Sequence, residues 1–221
     1  MKSLKSISNV KISTIFPTIL KPLLPLSSLF KSTLLTISGI VGSDAYLNGN
    51  YVASSSSNYS TSYMSYLAYN GSVSTGTTGD AWVSGNGSYS TATGQCVSTT
   101  KTTLSDTTIL SGEWLDLNTP NPILLSSYSL LARNADFVSS MKNTGPTLWY
   151  IIASNTGVDG SWVLLDTQTV LSSFWHLKTV PSPFILSPTP TTAYSYYRIV
   201  VKTAGTQYSY LGIKQFNFFL V

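Results

Sequence analysis

His176 is the one imidazole in the chain, set in Phe174-Trp175-His176-Leu177-Lys178, and a general base there would need a carboxylate such as Asp166 to orient it. A lone histidine in an aromatic run is more often a packed or rim side chain than a catalytic one. Gly87-Ser88 sits in loop-type sequence, not on the strand-to-helix elbow that exposes a nucleophilic serine. Paired-carboxylate hydrolysis needs two acids facing one cleft. Glu113 and Asp116 are three apart on a strand, so they point to opposite faces. Cys96 is alone, which excludes an intrachain disulfide and a cysteine-based metal cluster. The residue types that carry chemistry therefore predict a protein that is not an enzyme.

The composition agrees. Only 9% of the 221 residues are charged, against about 25% in an ordinary domain. The chain instead holds 37 Ser, 28 Thr and 14 Tyr, so its polar surface is built from hydroxyls and amides. A 43% hydrophobic fraction with 12% aromatics is enough for a real core. The net charge of +4 is uneven: residues 1–43 hold five lysines and no acid, while residues 44–221 hold 7 basic and 8 acidic side chains. Arg133 and Arg198 are the only arginines, and without a basic face the body is not expected to bind nucleic acid. Asn58, Asn70 and Asn86 each open an Asn-x-Ser triplet, a pattern that arises readily by chance in so Asn- and Ser-rich a chain.

Residues 1–43 read as a tail, extended or partly helical, that anchors the protein to a partner. Lys11, Lys21 and Lys31, with Pro17, Pro22 and Pro25, cut its apolar run into pieces too short for a membrane-spanning helix. Phe16, Leu20, Leu23, Leu24 and Phe30, flanked by Lys21 and Lys31, are the expected docking residues. From residue 44 to 221 the chain changes to short Tyr-, Val- and Thr-rich runs broken by Gly, Asn, Asp and Pro. Strands are expected at Glu113–Leu117, Ile123–Ala132, Thr147–Ser154, Trp162–Thr169, Tyr194–Thr203 and Tyr210–Val221, and one helical turn within Thr61–Tyr69. Leu115 and Leu117 share one face, as do Tyr197, Ile199 and Val201, with Arg198 expected to point outward. Thr147–Ile152 is apolar enough to be a central strand covered on both sides.

Gly112-Glu113-Trp114-Leu115-Asp116-Leu117, then Pro122-Ile123, Tyr128-Ser129-Leu130 and Arg133, resemble the middle of a discoidin (coagulation-factor C-type), galactose-binding-like module. Trp149–Asn155, Gly160–Thr167, Tyr196–Ile199 and the closing Tyr210–Phe219 follow in that family's order. The fold implied is all-β, an antiparallel jelly-roll-like sandwich. The chain departs from the family in its unpaired Cys96 and in Lys214-Gln215, which stand where an acidic residue is usual.

The resemblance also implies ligands. No cofactor is expected, but related modules can bind a structural calcium ion, for which Asp80 and Asp44 are the candidates. For a sugar, which pairs an aromatic platform with planar polar groups, the candidates are Trp82, Tyr69, Asn86 and Arg133, with Tyr63, Tyr66 and Tyr89 in the same loops. Similar hydroxyl-rich modules occur in structural proteins of large DNA viruses. The main expectation is therefore a minor capsid or surface-decorating component of a virion that docks on other subunits, capsid proteins, through its tail. The alternative is a lectin-like domain for cell-surface glycans, extracellular or at the cell surface.

Overall fold

Period-two alternation along Tyr194–Ala204 and Gly212–Leu220 has no helical stripe to offer, and the chain satisfies its backbone in antiparallel ladders. The computed structural model describes residues 33–35, 46–48, 51–71, 79–133, 144–176 and 178–221. In chain order these residues form β1 (Thr33–Leu34), β2 (Tyr46–Asn48), β3 (Tyr51–Ser55), β4 (Trp82–Val83), β5 (Lys101–Thr103), β6 (Ile109–Ser111) and β7 (Glu113–Ile123). They continue with β8 (Leu125–Ala132), β9 (Pro146–Ser154), β10 (Val163–Thr169), β11 (Ser182–Ile185), β12 (Tyr194–Ala204) and β13 (Gly212–Leu220). Among the described residues the helical elements are two 3-10 turns, Ser65–Tyr69 and Ser172–Trp175. All six expected strands are present. β7 runs past its expected end at Leu117 to Ile123, and its register against β12 slips between Asn118 and Ile123, where Pro120 and Pro122 have no N–H to donate.

Two sheets make a sandwich. One has the order β10-β9-β12-β7-β3-β2; the other has β1-β13-β8-β11, with β4 also on β13. β1 belongs to the compact unit Ser32–Val221, with Thr33 opposite Leu220 and Leu34 opposite Phe219. The expected docking residues Phe16, Leu20, Lys21, Leu23, Leu24, Phe30 and Lys31 lie outside the described residues, as does Asp44. Between the sheets, Leu115, Leu117, Ile151, Tyr197 and Ile199 of the first share a buried cluster with Leu130, Phe216 and Phe218 of the second. Aromatic contacts join the layers: Tyr197 to Phe218 at 5.6 Å, Trp149 to Phe184 at 5.1 Å, and the Trp149 indole N–H donating to the Tyr128 hydroxyl at 3.0 Å.

A second, smaller core covers the outer face of the six-stranded sheet. The β5–β6 hairpin brings Leu104 and Leu110 onto Ile152, Trp162 and Val200, so β9 is covered on both sides as expected. This layer corrects the reading of Arg198 as an outward charge. Its guanidinium lies 3.7 Å from the Trp114 ring centroid and 4.2 Å from that of Trp162. Nε and Nη2 donate to Asp116 Oδ2 at 3.3 and 2.8 Å, and Nη1 donates to Thr102 at 3.2 Å. Alternation assigned Arg198 to the correct face; the hairpin that buries that face was not visible in the strand itself. Burial raises the Asp116 carboxyl above its ordinary value, while Arg198 and the Ser54 hydroxyl that donates to it pull the other way.

Candidate functional site

β3, β8 and β12 all run out at the same end of the sandwich, and the segments that follow them are laced together by backbone bonds. The Tyr59 amide donates to Val83 O at 2.8 Å and the Val83 amide to Tyr63 O at 3.3 Å, so β4 pins the loop after β3. Ser84 N donates to Leu211 O, Tyr89 N to Ser209 O and Arg133 N to Gly212 O, each at 3.0 Å. Gly212 is required by this packing: a Cβ there would stand 2.8 Å from the Arg133 Cβ.

These loops present four tyrosine rings in a chain of contacts. Tyr63 meets Tyr59 edge-on at 5.9 Å, Tyr59 meets Tyr210 at 5.3 Å, and Tyr210 stacks on Tyr208 at 5.1 Å with 11° between planes. Tyr59 is 46% exposed and the other three are half-buried. Arg133 closes the row, its guanidinium 4.9 Å from the Tyr63 ring centroid and its Nη2 donating to the Tyr63 hydroxyl at 3.4 Å. Arg133 Nε donates to Asp80 Oδ1 at 3.0 Å; the Asp80 side chain is fully buried and its Oδ2 has no hydrogen-bond partner among the described residues. Burial pushes the Tyr210 phenol up, Arg133 draws it down, and Tyr208, Tyr59 and Tyr63 raise it further. Rings with apolar faces and hydroxyl rims beside a planar donor form a surface suited to a polyhydroxylated ring ligand.

The residues expected from sequence divide sharply. Arg133 is in the patch, and Asn86 lies exposed beside it, accepting a hydrogen bond from Ser209 at 2.8 Å. Trp82 and Tyr69 are corrected. Trp82 has no exposed surface and its indole donates to Ser57 O at 3.0 Å; Tyr69, 5% exposed, packs on Phe216 and Phe218. Neither ring can present a face to a ligand. Tyr89 is likewise core, its hydroxyl donating to Val201 O at 2.8 Å, and Tyr66 packs partly buried against the same cluster. Tyr59, Tyr208 and Tyr210 were missed. The Tyr208-Ser209-Tyr210 triplet was the available signal, since alternate residues of an extended segment share a side, but it read as the start of the last strand.

The same geometry tests the calcium site. Asp80 is committed to a guanidinium, and among the described residues no three His, Cys, Asp or Glu side chains cluster. Calcium takes six to eight oxygens, and among the described residues Asp80 offers it one carboxylate oxygen beside a fixed positive charge, which does not fit it; Asp44 lies outside those residues. Among the described residues the other acids have their own partners. Glu113 accepts from Ser56, Ser57 and Thr100, and Asp166 accepts from Tyr128 at 2.7 Å and from Gln168. His176 is exposed at the end of its 3-10 turn. At the opposite end of the sandwich, where β12 begins, Leu164, Leu165, Pro188, Pro190 and Tyr194 line an open groove of about 380 Å³ with no charged side chain.

No family model matches the chain, and no curated protein matches it. Solved structures do. The family 32 carbohydrate-binding module of Clostridium perfringens NanJ, determined in complex with galactose, is 18% identical over 76% of this chain and 93% of that one, with a TM-score of 0.50. An F5/8 type C domain from Bacteroides fragilis is 16% identical over 80% and 95%, also at 0.50. Chitosan-binding module 1 of a Paenibacillus sp. IK-5 chitosanase/glucanase is 16% identical over 77% and 94%, again at 0.50. The likeness is one of fold: the chain is an all-β antiparallel sandwich like these galactose-binding-like neighbours. These neighbours lend no support to a capsid setting.

Proposed function

We propose that the chain is a non-catalytic carbohydrate-binding module that takes glycans on the patch of Tyr59, Tyr63, Tyr208, Tyr210 and Arg133. The carrying observation is that row of solvent-reaching rings ending at a guanidinium, at the loop end of the sandwich. The fold supports the reading, because its structural neighbours include modules bound to galactose or named for binding chitosan. A function on extracellular or cell-surface glycans follows from it. The test is retention of the labelled chain on an immobilised glycan array, with Tyr59→Ala and Tyr210→Ala as companions. The proposal expects defined sugar signals that both substitutions reduce about tenfold, equivalent to about 1.4 kcal/mol. An empty array, or signals indifferent to both substitutions, contradicts it.

A further inference from the structure

Resting on that glycan-binding reading, we propose that Asp80 sets the charge class of the ligand: by holding Arg133 in an internal ion pair, it makes the patch select uncharged hexopyranoses over uronates and sulfated sugars. Asp80 is wholly buried and cannot touch a sugar, so it acts through Arg133 and is a positioning residue. The pair sums to no net charge at the base of the patch. Among the described residues, the groups besides Arg133 that act electrostatically on Tyr210 are Tyr208, Tyr59 and Tyr63.

Arg133 still has something to offer. Nη1 makes no hydrogen bond among the described residues, and 12% of the side chain reaches solvent. A sugar hydroxyl or ring oxygen placed there gains a charge-assisted bond without bringing charge of its own. A carboxylate gains a bond there too, but Asp80 behind the guanidinium cancels much of the added attraction, so the cost of stripping water from the anion is left uncompensated. A protonated amino sugar fares no better, because among the described residues the carboxylate paired with Arg133 is sealed from contact.

The experiment titrates the full chain with two matched pairs, methyl galactoside against methyl galacturonide and methyl glucoside against methyl glucuronide. It is repeated on Asp80→Asn, with thermal melts of both proteins. The wild type is expected to bind at least one neutral sugar about tenfold tighter than its uronate, with affinity flat between about 0.02 and 0.5 M salt. Asp80→Asn is expected to shift the ratio about tenfold toward the uronate and to make that binding salt-sensitive. A merely structural role would weaken both sugars alike. A wild-type chain that binds the uronate as well or better overturns the inference and leaves glycan binding standing, as does an unchanged ratio in folded Asp80→Asn. Binding of neither pair, with an empty glycan array, overturns the function and this inference together. Where Asp80→Asn melts too low to assay, Asp80→Glu takes its place, and a neutral-over-uronate ratio kept by that variant supports the inference while a ratio lost with its fold intact overturns the ion pair's part in it.

Discussion

The molecule builds the same device twice, an arginine paired with an aspartate and laid against aromatic rings, and finishes it differently. On the outer face of the six-stranded sheet, Arg198 lies between two indoles, and Nε, Nη1 and Nη2 all have acceptors. At the loop end, among the described residues, Arg133 has the Tyr63 ring beside it and no hydrogen bond from Nη1. Exposure does not separate them, since the two arginine side chains are 10% and 12% accessible. What separates them is completion. Arg198 donates from all three nitrogens and ties the β5–β6 hairpin to the sheet through Thr102, whereas Arg133 donates from two among the described residues and, on the proposed function, meets a ligand with the third.

The largest effect should come from breaking the closed pair. Arg198→Ala strands Asp116 in a desolvated site and removes the contact between two indoles, so a loss of about 3–5 kcal/mol is expected in denaturant melts. A loss under about 1 kcal/mol would mean the clamp is not structural. Gly212→Ala presses a Cβ against Arg133 at 2.8 Å and should destabilise by about 1–3 kcal/mol while displacing Arg133. Melts and sugar affinity measured together should fall together. Tyr59→Ala and Tyr210→Ala remove surface rings and should move stability by no more than about 0.5 kcal/mol while weakening sugar binding about tenfold. A large drop in melting temperature would place these rings in the fold's support and blur the contrast with Arg198.

A last contrast is in pH. Burial lifts the Tyr197 phenol to about 12, and raises Tyr128, Tyr69 and Tyr89 as well. A phenol raised in the folded state contributes stability that is present below its unfolded value near 10 and is lost as pH climbs through the folded value. Melting temperature should therefore fall between pH of about 10 and 12, with phenolate absorbance appearing at unfolding. Phenolate formation from these core tyrosines in the folded protein near pH 10 would contradict the burial.

Much of the sandwich was legible because a strand is a local object. Tyr197, Ile199 and Val201 could be assigned to one face from alternation alone, and the Gly-x-Trp strand carried the family resemblance. The site was harder because it is assembled from segments far apart in sequence. Trp82 and Tyr69 looked like platform residues in Gly- and Asn-rich stretches, yet β4 pairs with β13 and the 3-10 turn docks under it, which puts both rings in the core. Arg133 and Asp80 were both picked out, for a sugar and a metal respectively; that they neutralise each other depends on a contact across 53 residues.

The most direct measurement is a two-dimensional NMR titration of the labelled chain with the neutral sugar that gives the strongest array signal. The account predicts shifts confined to Tyr59, Tyr63, Asn86, Arg133 and Tyr208–Tyr210, with Trp114, Arg198 and the Leu164–Tyr194 groove silent. Shifts centred on that groove or on the Arg198 face, with the tyrosine row unmoved, would contradict it.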